Sequence, residues 1–435
     1  MSTSRGSSPS SRSRSSRPVV AETRSQSRPE PRVLVAAFAA VLVFSGTWAL
    51  LHVGFYKHDL ILDTPVYQNY GNAIARGDVP YRDFDVEYPP GALPVFALPG
   101  FAEPGHDQDV TPGFKHAFET LMWLCGAGAL LCMAVALVGV RATEPHAWAA
   151  LAFAALAPLA LGSVVLSRFD LWPALLVVGA LAALVSGWLR FGSGLLGLAV
   201  SVKLFPAVLV PLAVSYVWRR VGRREALVCA GLVAAVVAVV FLPFVILSPG
   251  GVWHSLTVQL TRPLQIESLG SAFLLAAHHV FGVGLTMVTS HGSQNLSGGA
   301  ATALGAVATV VQIAALVVVW GLFALGPPSR AALVRSSAAA LAAFVAFGKV
   351  LSPQFLIWLI PVVPLVRGRR GLWASAVLAC ALVLTQLWFP FHYWSLANDF
   401  APEQSWLVLA RDLALVVLAA VLVLPSSDER DQATA

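Results

Sequence analysis

The sequence predicts an all-α polytopic membrane protein, a single bundle of helices, and three observations carry that prediction. Hydrophobic residues make up 57% of the 435-residue chain and charged residues only 11%, whereas a soluble domain of this size carries roughly a quarter. Mean hydropathy is strongly positive. Long apolar runs recur along the chain, several near the ~20 residues that a helix needs to cross a bilayer core.

The net charge of +6 invites a nucleic-acid partner, but its distribution excludes one. Seven arginines fall in the first 32 residues, and most other basic residues sit in short clusters between apolar runs. That is the positive-inside pattern of a bilayer protein. The four cysteines, Cys125, Cys132, Cys229 and Cys380, lie singly in apolar segments and read as packing residues, with neither a disulfide framework nor a zinc site implied.

Residues 1–32 are rich in Ser, Arg and Pro and read as a disordered cytoplasmic tail, because so few apolar groups cannot offset ordering entropy. The run from Val33 to Val53 is too long for a signal core and is expected as an uncleaved first span. The arginines before it place the N-terminus inside. The rest of the chain, 33–424, forms one domain, followed by a cytoplasmic tail, 425–435. A long external loop, 54–115, precedes the second span, Ala117 to Val140. Trp148 to Leu166 and Leu171 to Leu189 form a hairpin whose outer turn is Ser167 to Asp170.

Arg190 and the cluster Arg219 to Arg224 both belong inside, yet one span would separate them. Two short helices broken at Lys203-Leu-Phe-Pro206 resolve the conflict, because proline cannot donate and disfavours helix in the residue before it. Ala226 to Leu247 then leads out to a second large external loop, 248–299. Its apolar piece, 269–288, is kept external, since a crossing there would put Arg330 and Arg335 outside. Ala300 to Leu325, Ser336 to Val350, Phe355 to Val366, Leu372 to Phe389 and Ser405 to Leu424 complete about 12 spans, some short or broken.

The first external loop holds much of the acid, including Asp59, Asp63, Asp78, Asp83, Asp85 and Glu87, and a loop of this length and aromatic content is usually functional. Asp59 and Asp63 are four apart, so a helix there presents both carboxylates on one face. A carboxylate at the membrane boundary suits a general base acting on a hydroxyl. Lys203, Lys349, Arg168 and Arg262 fall near outer span ends or helix breaks, where converging cations would bind an anionic leaving group such as a phosphate. Tyr67, Arg82, Asp83, Glu87, Tyr88 and Glu267 are the candidates for substrate contact. Asp83-Phe-Asp85 has the look of a metal-binding triplet, but no metal or other cofactor is assigned. Arg82 with Glu87, Arg168 with Asp170, and Arg262 with Glu267 are the local ion pairs to expect. Arg411 and Asp412 in the last span point in different directions and need partners elsewhere.

The runs DTPVYQNYGNAIARGDVPYRDFDVEYPPGALPVF, SRFDLWPALLVVGALAAL, SVKLFPAVLVPL, RPLQIESLGSAFL and KVLSPQFLIWLIPVV resemble the polyprenol-phosphate-mannose-dependent mannosyltransferases, glycosyltransferase family 87 of the GT-C class. The resemblance implies a GT-C-like bundle and an inverting transfer of a sugar, mannose by resemblance, from a polyprenyl-phosphate donor. The acceptor would be a hydroxyl of a glycolipid or cell-envelope glycan on the outer face. It also implies that Asp63, just beyond the first span and before the family's xxVY pattern, is the base, with Asp59 in reserve. A secondary transporter with broken helices, or a non-catalytic lipid-binding assembly subunit, are the competing classes.

Overall fold

The computed structural model describes residues 31–57, 62–103 and 110–424, so Asp59 and both tails, 1–30 and 425–435, lie outside it. The fold is helical apart from one hairpin. In chain order it runs α1 (Pro31–Leu50), α2 (Thr64–Ala75), α3 (Pro94–Ala102), α4 (Pro112–Gly139), α5 (Glu144–Leu161), α6 (Val164–Ser167), α7 (Leu171–Ser186), α8 (Leu189–Val202), α9 (Val210–Arg220), α10 (Arg223–Leu247), α11 (Pro249–Leu260) and α12 (Leu269–Phe281). Strands β1 (Thr286–Ser290) and β2 (Ser293–Ser297) follow, then α13 (Gly299–Leu325), α14 (Arg330–Phe347), α15 (Leu356–Leu359), α16 (Gly368–Trp388), α17 (Tyr393–Asp399) and α18 (Pro402–Val423).

Eight of these helices are long and apolar enough to cross a membrane: α1, α4, α5, α10, α13, α14, α16 and α18. Shorter apolar helices include α7, α8 and the segment around α15. The α8–α9 break falls where the charge bookkeeping demands it. Helix α8 ends at Val202, Lys203 takes an extended backbone, and a 3₁₀ turn over Phe205–Leu209 feeds α9. Arg190 at the start of α8 then bonds Glu225 just past α9 at 2.8 Å, so both ends of the pair share one side.

Arginines staple that end of the bundle. Arg330 and Arg367 donate to Gly139 O and Val140 O at the end of α4, 3.2 and 3.1 Å away. Arg219 donates to Phe323 O and Gly326 O at the end of α13, and Arg370 to Leu424 O past α18. Each cation meets carbonyls that a helix C-terminus leaves unpaired, where the helix dipole also favours positive charge.

Burial separates core from periphery. Helix α7 is apolar on all sides and buried over nearly its whole length, as expected of a helix wrapped by others; α4, α8 and α14 pack around it. Helices α10 and α13 are the reverse, with Val239, Ile246, Val310 and Leu325 all strongly exposed. In water such faces would be a liability; here they are the surface for lipid. Trp188, Trp218 and Trp373 near one end, and Trp253, Trp394 and Trp406 near the other, are exposed, as an interfacial belt requires. Among the cysteines, Cys125 and Cys229 are buried and Cys132 half-buried, but Cys380 is exposed on α16 and is no core residue.

The segment 269–288 does not cross. Ile266 N bonds Gln294 O at 3.0 Å and Leu296 N bonds Leu264 O at 2.9 Å, so α12 and the hairpin leave from and return to the same level. In the first large loop, α2 and α3 cross with Gly71 against Gly100, where neither has room for a Cβ. Gly91 lies against the Ser201 carbonyl at the end of α8. Backbone contact this close is what fixes the loop on the membrane helices.

Candidate functional site

Several segments meet at the end of the bundle opposite the arginine staples. Asp63 occupies the position before α2 where an aspartate ordinarily caps a helix, yet its side chain makes no cap hydrogen bond. The carboxylate turns instead to Arg168, with which it forms an ion pair, the two side chains being 28% and 6% exposed. Tyr67, one turn along α2, donates its hydroxyl to Asp63 Oδ2 at 3.3 Å. Behind it lies an aromatic floor: Tyr67 stacks on Phe96 at 4.7 Å, and Phe169 meets Tyr88 edge-on at 4.8 Å. Of the two carboxylates four apart, Asp59 lies outside the described residues and Asp63 immediately precedes α2, which begins at Thr64.

Arg168 and Asp170 share no hydrogen bond among the described residues, although the Asp170 charge reaches Arg168. Each finds a closer partner from another element. Asp170 is fully buried and receives Lys203 Nζ at 2.6 Å and the Trp358 indole N–H at 2.6 Å. The Lys203 ammonium lies within 6 Å of four ring centroids, those of Tyr88, Phe169, Phe355 and Trp358, a cage that suits a cation by its electron-rich faces. Its charge is therefore already answered by Asp170 rather than left open for a phosphate.

The loop between α11 and α12 supplies Arg262 and Glu267. Neither an ion pair nor a hydrogen bond joins them among the described residues. The Arg262 Nε is buried without a hydrogen-bond partner, while the charges of Glu87 and Glu267 reach it. Glu267 is 2% exposed and accepts from Gln265 Nε2 at 2.6 Å and from the Ser352 hydroxyl at 3.4 Å. Burial pushes its carboxyl up to about 7, against the pull of Arg411 and Arg168. Tyr393, at the start of α17, donates to Gln294 in β2 and feels the Glu267, Arg168 and Arg262 charges.

The remaining sequence candidates sit at the rim. Arg82 forms a two-point contact with its neighbour Asp83, 2.9 Å at each oxygen, not with Glu87. That contact and the Val79 amide hold the Asp83 carboxyl down at about 2, so both of its oxygens are engaged. Asp85 is exposed, and Glu87 is half-buried. Lys349 donates to Leu260 O at the end of α11, 3.0 Å away, and does not join the cluster. Replacing Arg82 with Ala is accordingly expected to leave the melting temperature of the detergent-solubilised protein unchanged, because an exposed pair of this kind contributes little.

Sequence reasoning named Asp63, Tyr67, Tyr88, Arg168, Lys203, Arg262 and Glu267, and the fold brings these together. It missed the roles of Asp170 and Trp358, whose signal is the apolar setting of an isolated acid beside SRF and of an indole in FLIW. It also misplaced Arg411 and Asp412, which pair with each other (Nε to Oδ1, 2.7 Å) and are both fully buried.

Such a cluster offers a base near the surface, cations behind it and an apolar wall beside it, which suits transfer of a group away from an anionic leaving group. No curated protein matches the chain. The crystal structure of ArnT from Cupriavidus metallidurans bound to undecaprenyl phosphate is similar in outline, with a TM-score of 0.46 and 14% identity over 90% of this chain and 76% of that one. The model of glycosyltransferase family 87 matches residues 87–353, a range that contains Arg168, Asp170, Lys203, Arg262, Glu267 and Lys349 and begins after Asp63. With most of its length covered by that match, the chain belongs to glycosyltransferase family 87, as a multi-pass membrane protein.

Proposed function

We propose that this glycosyltransferase moves a sugar, mannose in the first instance, from a polyprenyl phosphate to a hydroxyl of a glycolipid or cell-envelope glycan, with inversion and with Asp63 as the base. The observation that carries the reading is the Asp63 carboxylate, freed from capping its helix and held between Arg168 and Tyr67, beside Arg262, whose buried Nε has no hydrogen-bond partner among the described residues. The acceptor hydroxyl gives its proton to Asp63, and its oxygen forms the new bond to the anomeric carbon from the face opposite the phosphate. The bond from that carbon to the phosphate oxygen breaks, and its electrons leave with the polyprenyl phosphate.

Arg262 is the cation best suited to receive that charge, since guanidinium groups bind phosphate oxygens in a fixed two-point geometry. Arg168 keeps Asp63 ionised and aimed until the donor arrives. Lys203 shapes the wall through Asp170. The arginine-stapled end faces the cytoplasm in this reading, by the positive-inside bias, and the site opens on the other face, where a lipid-linked donor can enter sideways.

Transfer of radiolabelled sugar from synthetic polyprenyl-phosphate mannose to membrane acceptors is the test. Arg262→Ala is expected to raise the donor KM by about tenfold or more, the scale of one charge-assisted phosphate contact. Absence of transfer by the wild-type chain from any polyprenyl-phosphate sugar would discard the donor class.

A further inference from the structure

Arg411 and Asp412 are two fully buried charges inside α18, and neither contacts Asp63. Ionisable groups within membrane spans are costly to keep and mark function by default. Arg411 reaches out of the helix: its Nη2 donates to the main-chain carbonyl of Glu267 at 2.8 Å, and its guanidinium lies 5.6 Å from the Trp388 ring centroid. The charges of Arg411, Arg168 and Asp412 all reach the Glu267 carboxyl. Charges of alternating sign therefore run from the last span to the candidate base: Asp412, Arg411, Glu267, Arg168, Asp63.

We propose that Arg411, paired with Asp412, is a positioning residue for glycosyl transfer, holding Glu267 in place so that Arg168 is shared between Glu267 and Asp63. The proposal rests on the reading of Asp63 as the base. Other bonds fix the backbone of the Glu267 loop on either side of the Arg411 contact. Gln265 N bonds Lys349 O, Ile266 N bonds Gln294 O, and Leu296 N bonds Leu264 O. What Arg411 adds is a positive charge beside a carboxylate that burial would otherwise neutralise. A buried ion pair is in any case a poor source of stability compared with an apolar pair of like volume.

With Glu267 neutral, Arg168 is left with Asp63 and with Asp170, whose charge Lys203 and Trp358 already engage, and the base is held more tightly against proton transfer. The groups facing Glu267 are Arg168 from the α6–α7 turn, Arg411 and Asp412 from α18, Arg262 from its own loop, and Tyr393 from α17. Of these, Arg411 exerts the largest pull towards ionisation.

The test uses the full chain in lipid nanodiscs, with transfer from polyprenyl-phosphate mannose followed across neutral pH. In Arg411→Leu/Asp412→Leu both charges go together, so no unpaired charge is left in the membrane. This variant is expected to fold, to lose about tenfold or more in kcat with little change in donor KM, and to move the acid limb of its rate profile up by about one pH unit. Arg411→Lys keeps a cation beside Asp412, so no charge is stranded, but loses the guanidinium contact to the Glu267 carbonyl. It is expected to lower kcat part of the way with donor KM unchanged, and this arm decides the matter if the double variant fails to fold. Wild-type kcat and unmoved limbs in the variants would overturn the positioning role. Absence of transfer by the wild-type chain would instead overturn the reading of the site on which it rests.

Discussion

Asp63→Asn is expected to lower kcat for sugar transfer by about 10²–10⁴-fold, the usual worth of a placed general base, with no rise in donor KM. The amide keeps the size of the carboxylate and can still accept from Tyr67, whose hydroxyl is 3.3 Å from Oδ2. What it removes is the ability to take a proton from the acceptor. It also releases Arg168, now buried with Asp170 and Glu267 as its remaining counter-charges. That arginine becomes freer to meet the donor phosphate, so donor affinity is expected to hold or improve. The pairing of a lost kcat with an unweakened donor KM separates a missing base from a disordered site, because disorder degrades both. Single-turnover assays on the purified variant, with folding checked by size-exclusion chromatography, measure it. If kcat stays within tenfold of wild type, the base is another carboxylate, and Asp59 is the next to replace.

The course of the chain through the bundle was legible because proline, charge sidedness and apolar length are local signals. The break at Lys203-Leu-Phe-Pro206 follows from two arginine groups that must share a side, and the structure ends α8 one residue before that lysine. The charge partners were not legible in the same way. Asp170 and Lys203 are 33 residues apart and Trp358 a further 155 beyond, and nothing in the spacing announces that three helix ends converge. Local pairing rules pointed instead to Arg168 with Asp170 and to Arg82 with Glu87. The first fails because Asp63 and Lys203, brought in from elsewhere, take the two side chains, and the second because Asp83 is nearer. Arg411 and Asp412 fail for the opposite reason. Adjacent Cβ atoms on a helix diverge, but an arginine is long enough to curl back onto its neighbour while still reaching the Glu267 carbonyl. Asp63 was found because its position beyond the first span is visible in the sequence; that its carboxylate turns away from the helix it precedes is visible only in the fold.

Asp170→Asn is expected to be the most destabilising conservative change in the site, costing about 3–5 kcal/mol, because it strands a buried ammonium without its counter-charge. Lys203 is only 16% exposed and Asp170 not at all, so water cannot take over. The four rings around Lys203 attract a cation but supply about 0.5–2 kcal/mol for such a contact, too little to replace a carboxylate. Thermal unfolding in detergent is expected to show a large fall in melting temperature or no folded protein. Adding Lys203→Met to the same chain removes the stranded charge and puts a flexible apolar side chain into the aromatic cage, where its sulfur contacts rings favourably. The double variant is therefore expected to recover most of the lost stability. It is also expected to keep its donor KM within a few-fold of wild type, since the phosphate is assigned to Arg262. A stable double variant whose donor KM rises as far as that of Arg262→Ala would reverse that assignment. The ammonium would then leave Asp170 for the phosphate during turnover, and the aromatic cage would be a resting place for it.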